Sequence, residues 1–174
     1  MSKITRRRFI RKAGLFTTGG ALIGADLPGY KSNTANAQVL SEWLKLTQET
    51  ALEPDLPIID PHHHFWDRPN NRYMLEDLLK DTAAHNVRQT VFVECTSMYR
   101  ADGPEELQVI GETEFVQGIA AKSASGRYGD QRIAAGIIGS ANLRLGDKVA
   151  PVLEAHIAAS PQRFRGIRHR AAWA

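Results

Sequence analysis

Short runs of apolar and β-branched residues alternate with longer helical segments through most of this chain of 174 residues. Four strands are predicted, at 56–60, 89–95, 132–138 and 163–169. Three helices are predicted between them, at 75–86, 105–123 and 146–160. Strands that alternate with helices are typical of parallel sheets whose crossover connections are right-handed. No Gly-x-Gly-x-x-Gly follows the first strand, which argues against a dinucleotide-binding fold.

The alternation of strands and helices favours a barrel, and the length of the chain indicates how much of a barrel is present. A complete (β/α)8 TIM barrel takes about 250 residues and eight strands. The predicted fold class is therefore α/β, the N-terminal half of a TIM barrel, with about four parallel strands and covering helices. No covering helix follows the last strand, so we expect residues 57–174 to be a fragment of a longer barrel. A complete small open α/β domain is the alternative.

The first 37 residues have the pattern of an export signal. Basic residues at 5–14 precede a short apolar, glycine-rich run, and the small-x-small sequence Ala35–Ala37 follows. Arg6-Arg7 followed by Arg8-Phe9-Ile10 resembles the twin-arginine motif, which predicts the Tat export machinery as a partner and a periplasmic or secreted product. A plain Sec signal or an uncleaved anchor is the alternative.

The net positive charge of the chain comes from this leader. Residues 1–37 hold seven Lys and Arg against one Asp, whereas the remainder holds 15 basic and 18 acidic residues. The composition thus indicates no nucleic-acid partner. Residues 38–56 are interpreted as a lead-in helix at 40–52 and a linker, because Pro54 and Pro57 end the helical pattern.

Three consecutive histidines stand where the first predicted strand ends, in IIDPHHHFWD at 58–67. Strand side chains alternate between faces, so His62 and His64 point one way and His63 the other. The carboxyl ends of barrel strands carry the chemistry, and two imidazoles on one face form half of a zinc-type metal site, with Asp60 available to orient a ligand. A solvated polar loop, in which the histidines only help to pack Phe65 and Trp66, is the alternative.

This motif, GETEFVQGIAA at 111–121 and RFRGIRHRAAW at 163–173 together resemble the amidohydrolase-related family of TIM-barrel hydrolases. Within that family they are most similar to the branch of sugar lactonases and the pyrone-dicarboxylate lactonase, over nearly all of residues 57–174. The resemblance implies an enzyme that hydrolyses a lactone, ester or amide carbonyl of a small, acidic substrate with activated water. It also implies that His62 and His64 bind a divalent metal, with zinc the first candidate. Some lactonases of this branch work without metal, so the need for one stays open.

Further candidate site residues follow from their places at strand ends and from the resemblance. Glu94 is interpreted as a substrate-binding carboxylate, with an ion pair inside the barrel as the alternative. Arg168 is suited to bidentate contact with a substrate carboxylate, and His169 to an oxyanion or a metal, so both are the predicted catalytic residues. Tyr99 and Arg100, in the loop after the second strand, are predicted to contact substrate.

Two departures from the family pattern leave alternatives open. Asn142 stands where relatives often carry aspartate. The family's later metal ligands and its last-strand aspartate, which activates water, are expected beyond residue 174. A non-oxidative decarboxylase of the same superfamily is the second hypothesis, because relatives use the same His-x-His for carbon–carbon cleavage. A non-catalytic half barrel that binds a metal or a small acid is the third, and its open sheet edges would favour a homo-oligomer.

Overall fold

The computed structural model of the protein describes residues 42, 43, 46, 49–69 and 71–170. Contacts divide the chain into Met1–Trp43 and Leu44–Ala174, and the sheet with its covering helices belongs to the second unit. The predicted export signal lies outside the described residues, as does most of the predicted lead-in helix. No helix among the described residues is long and apolar enough to cross a membrane.

Four parallel strands form the main sheet, as predicted. They are β1 (Ile58–His63), β4 (Val87–Val93), β5 (Arg132–Ser140) and β6 (Phe164–Arg168), and they lie side by side in chain order. The α/β class is confirmed, and the sheet is compatible with half of an α/β barrel, although the residues that the structure describes form no closed barrel. A short antiparallel hairpin of β2 (Trp66–Arg68) and β3 (Asn71–Tyr73) was not predicted from the sequence.

Three helices follow the strands: α1 (Leu75–Asp81), α2 (Ile110–Ala124) and α3 (Ala150–Ala159). The predicted helix at 105–123 is divided, because Glu105–Leu107 form a 3₁₀ turn whose i to i+3 bonds end before α2 begins. The prediction at 146–160 begins too early. A separate 3₁₀ segment, Leu143–Val149, precedes α3 and contains Gly146 at φ 57°, which breaks the helical path.

The main core lies between the sheet and helices α1 and α2. Phe65 and Phe92 are fully buried in it and stack with ring centroids 5.7 Å apart. A second, smaller cluster joins α2 and α3 to the sheet through Ile110, Ala141 and Val152. Apolar side chains thus hold the helices on the sheet, and the carboxyl ends of the strands are left to carry polar groups.

A buried histidine, His156, connects α3 with α2, with the end of β5 and with the start of β6. The Nε2–H of His156 donates to the carbonyl oxygen of Ser140 at 2.8 Å, so its Nδ1 accepts the hydroxyl hydrogen of Thr113, also at 2.8 Å. The ring lies flat on Phe164, with centroids 4.9 Å apart. Gly139 leaves the space for it, since a Cβ there would lie 2.7 Å from the ring. His156 is therefore a structural residue in its neutral form.

We expect His156 to make the protein less stable in acid. Burial lowers its pKa below 6.5, so the unfolded chain binds a proton before the folded chain does. The free energy of unfolding should thus fall as the pH drops below about 6.5. Urea unfolding of the wild type, His156→Gln and the exposed His85→Gln control at about pH 8 and about pH 5.5 measures this. His156→Gln should lessen the pH dependence but not abolish it, because burial also lowers the pKa of His63, and an equal slope in all three proteins would contradict the assignment.

Candidate functional site

The three histidines at the end of β1 separate as their alternation predicts. His63 is buried against Phe65 and Phe92, whereas His62 is exposed and His64 is half-buried on the other side of the strand. The Nε2 atoms of His62 and His64 lie 3.3 Å apart, with the two rings edge to face. The strand thus presents two imidazole nitrogens side by side near the carboxyl edge of the sheet.

Hydrogen bonds orient this pair. The carbonyl oxygen of Val93 can only accept, so the Nδ1 of His64, 2.7 Å away, carries the hydrogen. In the neutral ring the Nε2 of His64 then has a free lone pair directed at His62. Asp60 accepts the backbone N–H of His62 at 3.0 Å, which holds the end of β1. A neutral imidazole that is fixed through its other nitrogen is the form in which histidine binds metals.

The separation of the two nitrogens suits one shared ion. Two nitrogens bound to a tetrahedral zinc at about 2.0–2.1 Å lie about 3.3 Å apart. The same distance also allows a weak hydrogen bond from His62 to His64. Within the described ranges, no group of three or more His, Cys, Asp or Glu side chains is placed to hold a metal. The pair therefore supplies two ligands at most, and further ligands would have to come from elsewhere or from water.

His63 has no part in this pair. The Nε2 of His63 lies 2.8 Å from the hydroxyl oxygen of Thr90. Burial lowers the pKa of His63 to about 4, although the negative charge of Asp60 acts to raise it. Its Nδ1 has no partner among the described residues. His63 therefore stays neutral at physiological pH and belongs to the core.

Glu94 lies just beyond the end of β4, and its side chain is almost completely buried. Its Oε1 accepts from the Nε of Arg168 at 2.8 Å and from the Nε of Arg170 at 3.0 Å, while its Oε2 accepts from Arg170 at 3.0 Å. Burial alone would raise the pKa of Glu94, but the hydrogen bonds from Arg170 and Arg168 outweigh burial and hold its pKa below the usual range. Glu94 is thus an ionised group that positions two guanidinium groups.

Arg170 is a site residue that was not predicted from the sequence, although a pattern could have identified it. Arg168 and Arg170 are two residues apart, and residues at that spacing in an extended segment lie on one face. His169 lies between them and still reaches the same cavity.

A cavity of about 640 Å³ opens beside these groups, and its lining includes His64, Arg68, Arg168, His169 and Arg170. A smaller neighbouring cavity of about 300 Å³ shares His169 and Arg170 and adds Glu94 and Tyr99. The structure therefore brings most of the predicted site residues to one edge of the sheet.

The remaining predicted contacts are divided between the site and the surface. Tyr99 directs its hydroxyl toward Glu94 at 3.5 Å, and burial raises the pKa of Tyr99 to about 12, so it stays protonated. Arg100 donates to Glu114 on the surface of α2 and lines neither cavity, so it lies outside the site. Cys95 is buried, and burial raises the pKa of its thiol to about 12, which agrees with a core role rather than a nucleophilic one.

Comparison with known proteins identifies a distant relative. The chain is 29% identical over 136 residues to "Uncharacterized protein y4mH" of Sinorhizobium fredii (strain NBRC 101917 / NGR234), and the match covers 66% of this chain. The chain spans about two fifths of that relative's length, since the match covers 40% of it. No family model matches the chain. No solved structure matches it either.

Proposed function

We propose that this chain supplies the first strands and part of the active site of a metal-assisted hydrolase with an α/β barrel. The observation that carries the proposal is the pair of imidazole nitrogens 3.3 Å apart, one of them fixed by Val93, at the carboxyl edge of a parallel sheet. The resemblance to the amidohydrolase-related family supports the same assignment. The substrate would be a lactone, ester or amide.

His62 and His64 would hold the divalent ion, for which zinc is the first candidate because both donors are imidazoles. A bound ion of this kind polarises a carbonyl group and makes bound water more acidic. Arg168 and His169 line the adjoining cavity, where Arg168 can bind a substrate carboxylate and His169 can stabilise an oxyanion. Glu94 holds Arg168 in place through its buried carboxylate. The family resemblance assigns the water-activating aspartate to a later strand, so the complete activity is proposed for a complete barrel.

A substrate panel tests this proposal. The protein in its full natural length is incubated with lactones, carboxylic esters, amides and aromatic carboxylic acids, and products are identified by mass. Hydrolysis that disappears in His62→Gln and His64→Gln but survives in the exposed His85→Gln is the expected result. Release of carbon dioxide from an aromatic acid would instead identify the protein as a decarboxylase. No turnover of any compound would favour a binding protein and overturn the proposal.

A further inference from the structure

Arg68, on the β2–β3 hairpin, reaches into the main cavity. Its guanidinium carbon lies 4.5 Å from the centroid of the Trp66 ring, in a cation–π contact. Its Nη2 donates to the carbonyl oxygen of Cys95 at 3.0 Å and more weakly to Thr96. No carboxylate lies within salt-bridge distance of Arg68 among the residues that the structure describes. Stacking and carbonyl contacts therefore orient Arg68 without neutralising it.

The cavity has an excess of positive charge. Arg68, Arg168 and Arg170 contribute three guanidinium groups to its lining, and no carboxylate among the described residues lines it. Glu94, behind the wall, neutralises one of these charges through its bonds to Arg168 and Arg170. Guanidinium groups that line one cavity without a matching acid favour an anionic ligand, and N–H groups that are not already bonded can donate to it.

A buried carboxylate on α2 shapes the turn that holds Arg68. The Oε1 of Glu112 accepts the backbone N–H of Cys95 at 2.9 Å and of Ser97 at 2.8 Å. Thr96, between them, adopts φ 62°, so the two N–H groups converge on Glu112 while the carbonyl groups of Cys95 and Thr96 face Arg68. Glu112 thus sets the position of the groups that anchor Arg68.

We propose that Arg68 binds the carboxylate of an acidic ligand in this cavity, and that Glu112 is the residue that positions it. The assignment rests on the proposed function and deepens it, because it adds Arg68 and its positioning residue to the groups that would hold the substrate beside the histidine pair. The Nε and Nη1 atoms of Arg68 have no hydrogen bond to the described residues and are available to the ligand. Trp66 would hold the guanidinium plane while the ligand binds.

Binding of benzoate and of its neutral analogue benzamide, measured by calorimetry on the whole chain, tests Arg68. The wild type should bind benzoate at least about tenfold more tightly than benzamide, since a charge-assisted hydrogen bond contributes that much. Arg68→Gln should reduce that preference to what Arg168 and Arg170 supply, and Arg68→Lys should restore only part of the difference. Arg72→Gln is the matched control, because Arg72 lies on the same hairpin and contacts Asp67 and Asp77 instead.

Glu112 is tested with two variants. Glu112→Gln keeps an oxygen that accepts the two N–H groups and should bind benzoate like the wild type. Glu112→Ala should weaken benzoate binding to the level of Arg68→Gln while circular dichroism shows a folded protein. Equal benzoate affinity in the wild type and Arg68→Gln would overturn the inference. Zinc binding, followed in the same variants, reports on the histidine pair separately, so loss of the proposed hydrolase would not be mistaken for failure of the Arg68 assignment.

Discussion

Replacing Arg168 and Arg170 together by methionine is expected to destabilise the fold by roughly 3–5 kcal/mol, the cost of leaving one partner of a buried ion pair alone. The side chain of Glu94 is only 1% exposed, and three of its hydrogen bonds come from these two arginines. Without them burial raises the pKa of Glu94 above its usual range. Urea unfolding at neutral pH measures the loss.

The pH dependence identifies the cause of that loss. In the double variant the penalty should be full above the raised pKa of Glu94 and should shrink as the pH falls and the carboxyl takes up a proton. In the wild type the pKa is lowered instead, so the contribution of Glu94 to stability is present above its unfolded pKa and is lost on acidification. Adding Glu94→Gln to the double variant should recover much of the stability. If the triple variant is no more stable than the double variant, the buried charge is not the cause.

Gly111→Ala is expected to cost about 3 kcal/mol, at the upper end of what overpacking usually costs. A Cβ at this position would lie 2.5 Å from the carbonyl oxygen of Met98 and 2.6 Å from the amide nitrogen of Arg100. Both atoms belong to the backbone of the loop after β4, so the loop itself must move away from α2. Thermal unfolding measures the loss, and benzoate binding should weaken at the same time because Glu112 and its turn move with the loop.

Gly118→Ala is the matched control on the same helix. Gly118 is exposed, and a Cβ there meets nothing within 4 Å. Alanine is favoured over glycine in a helix interior, so this variant should gain roughly 0.5–1 kcal/mol. A Gly111→Ala protein as stable as the wild type would contradict the close approach of loop and helix.

Local patterns were sufficient to predict the sheet and the placement of the histidines. The four strands are identified by short runs between helical segments, one of them rich in β-branched residues, and the opposite orientation of His63 and His64 follows from strand alternation alone. The division of the helix predicted at 105–123 was not foreseen, because a turn of 3₁₀ helix and the first turn of an α-helix have similar local sequences.

The groups that build the cavity were harder to predict. Arg68 is placed by Cys95, and Glu112 by its bonds to the same turn, so both depend on contacts between segments far apart in the chain. Periodicity contains no information about such contacts. In the sequence Glu112 is recognisable only as part of the family-like segment 111–121, because its buried acceptor role depends on the left-handed turn at Thr96.

The central claim is that His62 and His64 bind one metal ion between them. Calorimetric titration of the protein with zinc, beside the His62→Gln/His64→Gln double variant and the His85→Gln control, tests it most directly. We expect one zinc ion per chain in the wild type and the control, and an affinity lower by roughly 100-fold or more in the double variant, since both imidazole ligands are lost. Equal zinc affinity in all three proteins, or no zinc binding by the wild type, would contradict a metal site at the histidine pair.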